Sequence, residues 1–587
     1  MRLREPSRLL SLFLAVAGGL VLWSAFPDAG VWPAAFVAVA VLYWALGRDN
    51  AWWNLLIGFL FGISFFLPHL WWAHESTEAA PWIALSALEA LFIGGFGVLW
   101  TWARRARFLR RRGWRLAAAF AVLFVAVEQW RAEIPFGGFP WGRLAWTMAG
   151  TPTGRAAWLG GTVAVSLLVA FAGALLALAV AGLVRAVRIS RAARTAPAAR
   201  VSPPEQAESG AVTAGSVSAS SVTAGATTGG SVTVRSSVGR SVGALALGVA
   251  VAVVPLVLPL PSSASAGAVE TPEGQQVYDA GSDLAEDGQL WAGAVQGNVG
   301  EPGLGAFANR AEVLNNHLEG TYVLAEDFAG ELDVVLWPEN GSDLDPQTTP
   351  DVARGLDNAS TAVGAPILVG AQEFPDAGGR YNVSLLWQAG QGVIARYAKQ
   401  HPAPFGEYIP LRSILRLFSD QVDRVTTDMI PGVNPPYVDV PSRLGQDAYR
   451  LGTIICFEVA YDEIIRDAVL EGAQVLVIPT NNASFGWTAE STQQLAMSRL
   501  QAITTGRAAV QISTVGVSGV ITPDGTVVRD TELFTADQFV VDLPLRSSIT
   551  PAVAAGYWPG WIVGGLALAL VVAGVVGGIG ARRRARG

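Results

Sequence analysis

Three residues in the second half of this chain carry chemistry that their neighbours do not. Glu339 closes the apolar run DVVLWPE, Lys399 lies in RYAKQHPAPFGEYIP, and Cys456 stands in GTIICFEVAYDE. Cys456 is the only cysteine in 587 residues, and Lys399 is the only lysine among 40 basic residues. Elsewhere the chain meets the need for a cation with arginine, so Lys399 marks a place suited to a compact ammonium rather than a planar guanidinium. A carboxylate, an ammonium and a thiol brought together can transfer an acyl group. The thiolate is the attacking form. Glu339 can take the thiol proton and later activate the acceptor. Lys399, with the backbone N–H of Phe457, can stabilise the oxyanion. Each residue also has a plainer reading: Cys456 as core filler, Glu339 as a helix cap, Lys399 as a surface charge.

The elements that must position them alternate along residues 265–550. WAGAVQGN (291–298), DVVLWPE (333–339), APILVGAQE (365–373), YNVSLLWQ (381–388), LGTIICFE (451–458), AQVLVIPTNN (473–482) and VQISTVGVSGVI (510–521) read as strands. AEVLNNHLEGTYVLAED, DEIIRDAVLEGA and TQQLAMSRLQAITTGRAAV read as helices. Many of the strands are apolar on both faces, as in sheets covered on each side by another layer. The expected class is a layered α/β sandwich with the three residues at or near strand ends.

The rest of the chain is built for a bilayer. Hydrophobic residues make up 51% and charged residues 15%, with mean hydropathy +0.38. Apolar stretches near 9–26, 31–47, 53–73, 82–102, 115–130, 157–184, 242–261 and 558–580 approach the roughly 20 residues a span needs. Arginines cluster at the N-terminus, in ARRARFLRRRGWR, after the sixth stretch and in the tail ARRRARG. All fall on one side if there are eight spans with both termini cytoplasmic. The expected domains are spans one to six in 1–194, a Ser/Thr/Ala/Gly-rich flexible cytoplasmic linker in 195–240, span seven in 241–264, an outer catalytic domain in 265–550, and span eight with a basic tail in 551–587. The net charge of −7 and the confinement of basic residues to membrane edges give no sign of nucleic-acid binding. The four histidines lack ligand spacing, so no metal is expected.

WPE, YAKQHPAPFGEYIP and ICFE together resemble the Glu–Lys–Cys motif set of the nitrilase superfamily. FPDAGVWPAA (26–35), LLIGFLFGISFF (55–66) and PFGGFPWGRLAW (135–146) are similar to the apolipoprotein N-acyltransferase family, and VQGN, Asn482–Gly486 and 506–525 extend the likeness. The resemblance implies an α-β-β-α nitrilase-like sandwich on about eight transmembrane helices. It implies Cys456 as nucleophile, Glu339 as base and Lys399 as oxyanion stabiliser. It adds Glu407 as a second essential glutamate, and Phe457, Glu458, Trp337 and Asn482 as supporting or substrate-binding residues. Phe457 departs from the tyrosine common in the family. Asn482–Ala483–Ser484–Phe485–Gly486 replaces an Asp-Ala-Trp-Phe-Gly pattern. No tryptophan lies shortly after VQGN, where the family often has one and Phe307 is the candidate substitute.

What the resemblance implies for function is a ping-pong transfer. A membrane phospholipid acylates Cys456, and the N-terminal amine of a diacylglyceryl-cysteine apolipoprotein takes the acyl chain. No cofactor is expected; the bilayer is the other expected partner, and a monomer in the bacterial cell membrane is expected. EYIPLRSILRLF (407–418) is expected to be a mobile amphipathic arm on the outer leaflet. The alternatives are a membrane-anchored amidase with the same triad, or a scaffold without catalysis. A transport reading of Trp71, Trp72, His69, Glu89 and Arg143 leaves the Glu–Lys–Cys set without a purpose.

Overall fold

The computed structural model describes residues 5–195, 225–300, 311–416, 422–423, 425–443, 445 and 447–586. The apolar half is built from α1 (Arg8–Trp23), α2 (Pro33–Ala45), α3 (Ala51–His69), α4 (Trp71–Thr77), α5 (Ala79–Ala103), α6 (Gly113–Arg131), α7 (Ala157–Thr195) and α8 (Gly225–Val253). Among the described residues, five helical stretches are long and apolar enough to cross a membrane: Ala51–His69, Ala79–Ala103, Thr153–Arg191, Val238–Val257 and Trp558–Gly580. Arg8–Trp23 and Pro33–Ala45 are shorter apolar helices. The stretch expected near 115–130 is helical as α6, but carries Arg115, Glu128 and Arg131. The segment expected as linker is helical from Gly225, where α8 begins; its 196–224 part lies outside the described residues.

The described residues of the second half form two sheets. β1 (Gly267–Glu270), β2 (Gln276–Asp279), β3 (Gln289–Gln296), β4 (Val334–Leu336), β5 (Ile367–Glu373), β6 (Tyr381–Gln388) and β7 (Gly392–Ala398) belong to the first. β8 (Tyr437–Val440), β9 (Tyr449–Thr453), β10 (Val475–Thr480), β11 (Ala509–Ser513), β12 (Gly519–Ile521) and β13 (Val527–Asp530) form the second, and β14 (Asp537–Pro544) returns to the first. The orders are β1-β2-β14-β3-β4-β5-β6-β7 and β13-β12-β11-β10-β9-β8. Parallel pairs β3–β4, β4–β5, β9–β10 and β10–β11 sit at the centre of each sheet. The residues of β4, β10 and β11 are buried on both faces, which explains the uninterrupted apolar runs.

The layers follow from what each face buries. Between the sheets, Ala292, Ala294, Leu336 and Leu386 of the first share a core with Val438, Leu451, Val477 and Ile512 of the second. The far face of the first sheet carries α9 (Glu312–Phe328) and α10 (Pro350–Val363), through Leu324, Phe328, Leu356 and Val363. A four-residue helix α11 (Arg412–Leu415) precedes the second sheet, whose far face carries α12 (Asp462–Leu470) and α13 (Glu490–Thr505). α14 (Pro551–Ala555) and α15 (Trp558–Arg586) complete the chain. The core under α12 and α13 is continuous with that of the apolar half: Ile464, Met497 and Leu500 share one cluster with Trp146, Ala157 and Val169. The α-β-β-α sandwich is therefore present, with its α12/α13 layer lying on the membrane half.

Several boundaries differ from the sequence reading. LGTIICFE leaves the sheet at Thr453, and Cys456–Ala460 is a 3-10 turn. VQISTVGVSGVI is two antiparallel strands. Between them the chain folds tightly at Gly516, where a Cβ would lie 2.2 Å from Asn482 Oδ1. The third helix stops at Thr505, capped by Gly506 at φ +65°, so GRAAV turns and enters β11. The 407–418 arm is described only in part: Arg412–Leu415 is a single helical turn, Leu411 is exposed, and 417–418 lie outside the described residues, as does Phe307.

Candidate active site

Each of the three residues is presented just beyond a strand. Trp337 N–H still donates to Leu368 O (3.0 Å), after which Pro338 ends the ladder and Glu339 turns inward. Gly370 lets this bend approach, because a Cβ there would sit 2.2 Å from Pro338 O. Lys399 follows β7; its N–H donates to Asn382 O (2.9 Å) and its carbonyl accepts from Gly432 N–H (2.7 Å). Past β9, Ile454 N–H donates to Val477 O (2.9 Å), and the chain then turns sharply at Cys456, whose φ is +53°. A non-glycine residue in that region is strained and persists only where its surroundings hold it, which is common at reactive positions.

The structure brings Glu339, Lys399 and Glu407 into direct contact. Lys399 Nζ donates to Glu339 Oε1 (3.2 Å) and Glu407 Oε1 (2.7 Å), and the Lys399 side chain is 1% exposed. Glu339 is fixed further by Asn382 Nδ2 on Oε1 (2.5 Å) and Asn481 N–H on Oε2 (3.0 Å). Glu407 accepts Ala403 N–H at Oε2 (2.6 Å). Burial works against the Lys399 ammonium, but Glu339 and Glu407 outweigh it and hold its pKa well above the ordinary value. Cys456 is buried within the same electrostatic cluster. Burial, then the Glu339 charge, raises its thiol pKa well above the usual range, with Lys399 opposing. Burial and the Glu339 charge both favour the neutral thiol over the thiolate.

Glu458 ties two of these loops together. Its carboxylate accepts Tyr397 O–H (2.9 Å), Gln400 N–H (2.6 Å), His401 N–H (3.2 Å) and Ile455 N–H (2.8 Å). It thus joins the turn holding Cys456 to the segment after Lys399. Burial lifts its carboxyl to about 7 against those donors and the Lys399 charge. Asn482 donates to Glu490 Oε2 (2.5 Å) and Gln494 Oε1 (3.0 Å) and accepts from Thr480 (2.7 Å) and Ser513 (2.5 Å). It is a joint between β10, β11 and α13, one residue after the Asn481 amide that holds Glu339. Glu490, also buried, is raised to about 8, mainly by burial, with Asn482 opposing.

Trp337 sits elsewhere. Its ring lies 5.4 Å from that of His317, and its Nε1–H donates to Thr321 Oγ1 (2.9 Å), under α9 on the helix side of the first sheet. Strand alternation puts it on the face opposite the sheet interface. Phe457 stacks on Trp141 (5.4 Å between centroids, 3° interplanar) and Phe139 (5.6 Å) from the loop between α6 and α7, with Tyr461 edge-on (5.7 Å). The sequence reading missed Asn382, Tyr397, Asn481 and Glu490. Asn382 left a signal, as a lone amide inside the apolar strand YNVSLLWQ; the others left none. Among the described residues no group of histidine, cysteine or acidic side chains is arranged to hold a metal.

A two-sheet sandwich with this buried cluster, resting on a bundle of apolar helices, is a carbon–nitrogen hydrolase domain joined to a membrane unit. Residues 282–549 match the carbon-nitrogen hydrolase family model, and residues 18–175 match that of the apolipoprotein N-acyltransferase N-terminal domain. The chain is 34% identical to the apolipoprotein N-acyltransferase of Mycolicibacterium smegmatis, over 93% of its length and 82% of that relative. It is 25% identical to the enzyme of the same name from Allorhizobium ampelinum, over 88% of its length and 86% of that relative. An amidase from Nesterenkonia sp. aligns over 45% of this chain and 94% of its own, at 16% identity and TM-score 0.34. The chain belongs to the apolipoprotein N-acyltransferase family.

Proposed function

We propose that this chain moves a fatty acyl group from a membrane phospholipid to the N-terminal amine of a diacylglyceryl-cysteine apolipoprotein, through a thioester on Cys456. The observation that carries the proposal is the buried Glu339–Lys399–Glu407 cluster around a thiol whose neighbour, Phe457, packs on the membrane half. Family membership favours this reading over hydrolysis of small amides.

Glu339 takes the Cys456 proton as sulfur attacks the ester carbonyl, and Lys399 stabilises the oxyanion. The C–O bond breaks, the leaving lysophospholipid oxygen receives the proton from Glu339, and a thioester remains. The neutral amine of the acceptor then attacks that thioester. Glu339 takes a proton from the attacking nitrogen, the C–S bond breaks, and the sulfur is reprotonated. Atoms and charges balance without a cofactor. The accompanying topology is eight spans with both termini cytoplasmic and residues 265–550 outside. The domains divide as 1–194, 195–240, 241–264, 265–550 and 551–587, and the enzyme works as a monomer.

The test is intact-protein mass spectrometry of the full chain in phospholipid vesicles. An acyl adduct on Cys456, lost in Cys456→Ser and discharged by a diacylglyceryl lipopeptide, is expected. Release of ammonia from small amides with no adduct from lipid would instead establish the amidase.

A further inference from the structure

The loop between α6 and α7 holds the nucleophile turn at two points. At the first, Phe139 and Trp141 lie against Phe457. At the second, Arg143 Nη1 donates to Asp462 Oδ2 (2.9 Å) and to Thr162 Oγ1 (2.8 Å). The Thr162 hydroxyl donates to the same carboxylate oxygen. Gln501 Nε2 donates to Asp462 Oδ1 (3.0 Å) and to Val459 O (3.1 Å). Between the two points, Tyr461 O–H donates to Gly138 O (3.2 Å). Asp462 is the first residue of α12, immediately after the turn. Its carboxylate therefore joins the membrane-side loop, α7 just past its kink at Gly160–Gly161, α13 and the nucleophile turn. Gly142, at φ +72°, makes the chain reversal that lets Trp141 and Arg143 reach opposite ends of that turn.

The acyl-transfer chemistry uses neither charge. Aromatic faces attract one another but tolerate sliding. A guanidinium and a carboxylate with further hydrogen-bond partners fix one register, and a register error of about 1 Å is enough to cost a reaction heavily. A lipid ester reaches Cys456 only from the bilayer, so the placement of the turn relative to the membrane helices decides whether its carbonyl meets sulfur. A small soluble electrophile has no such constraint.

We propose that the Arg143–Asp462 pair is a positioning device that sets the turn bearing Cys456 in register with the membrane half, so that membrane lipid, as distinct from small soluble molecules, is attacked. The inference rests on the acyl-transfer reading above.

The experiment uses the full chain in vesicles of one defined diacyl phospholipid and measures two rates on Cys456. One is acyl-adduct formation from the lipid; the other is alkylation by iodoacetamide. Arg143→Gln and Asp462→Asn should lower the first about tenfold or more and change the second by less than about twofold. Arg143→Lys, which keeps the charge, should recover part of the lipid rate, as should the R143D/D462R exchange. Equal loss of both rates would show a general folding role and overturn the proposal, as would unchanged lipid acylation. Wild-type protein that is alkylated but never acylated by lipid would remove the acyl-transfer reading, and the pair's role with it.

Discussion

Trp141 and Phe457 lie face to face, 5.4 Å between ring centroids and 3° from parallel, although one belongs to a membrane-side loop and the other to the sandwich. Phe457 also meets Phe139 and Tyr461. Phe457→Leu keeps an apolar side chain but removes these ring contacts. It should lower stability by about 1–2 kcal/mol, read by thermal unfolding in detergent micelles. An unchanged midpoint would mean that the stack contributes nothing beyond filling space.

Lys399 separates two carboxylates. Lys399→Met would leave Glu339 and Glu407 uncompensated in a buried site, at a cost of about 3–5 kcal/mol, and should abolish acyl-adduct formation. Lys399→Arg keeps the charge but demands a wider planar site. Single-turnover acylation should drop about 100-fold while denaturant midpoints move much less than in Lys399→Met.

Glu407 touches Lys399 Nζ and the Ala403 amide, so its proposed part in the reaction runs through Lys399. Glu407→Gln retains an oxygen for the Ala403 amide but loses the charge facing the ammonium. Acylation should fall about tenfold, less than for Glu339→Gln, which removes the proposed base. A larger loss from Glu407→Gln than from Glu339→Gln in the same assay would reverse the two assignments.

Two buried carboxyls make stability depend on pH. The folded chain holds the Glu458 carboxyl at about 7 and Glu490 at about 8, both raised first by burial from 4.5. Above 4.5 the unfolded chain has released these protons while the folded chain still binds them. Their contribution is therefore fully present below about 4.5 and is lost as pH rises through about 7 to 8. Denaturant unfolding between about pH 5 and 9 should show this fall, and Glu490→Gln should flatten its upper part. The same slope in Glu490→Gln would place the titration elsewhere.

The three central residues were legible because each is rare in its surroundings: a lone cysteine, a lone lysine, and a carboxylate closing an apolar strand. The buried parallel strands were legible for a related reason, since β10 and β11 carry long runs of buried, mostly apolar residues. Short edge strands such as β1 and β13 were missed because exposed four-residue runs have no pattern to read. Helix α10 was missed too, although its buried Val352, Leu356, Ala359 and Val363 recur at helical spacing. The true position of Trp337 was hidden because a motif fixes neighbours in sequence, whereas pleating sends adjacent side chains to opposite faces. The role of Glu458 was only half visible. Its spacing from Cys456 can be read in the chain, but its bonds to Gln400 and His401 depend on tertiary folding.

Helix α13 has buried residues around its whole circumference, including Gln493, Gln494, Ser498 and Gln501 as well as Met497 and Leu500. One side packs on the second sheet, and the other reaches the membrane half, where Gln493 accepts Trp141 Nε1–H (2.7 Å). A fragment cut to residues 265–550 would uncover amides and methyl groups that now face protein on every side, and should clump when released from detergent. The sandwich and the apolar helices thus share one interior, and a cut between them would open it along α13.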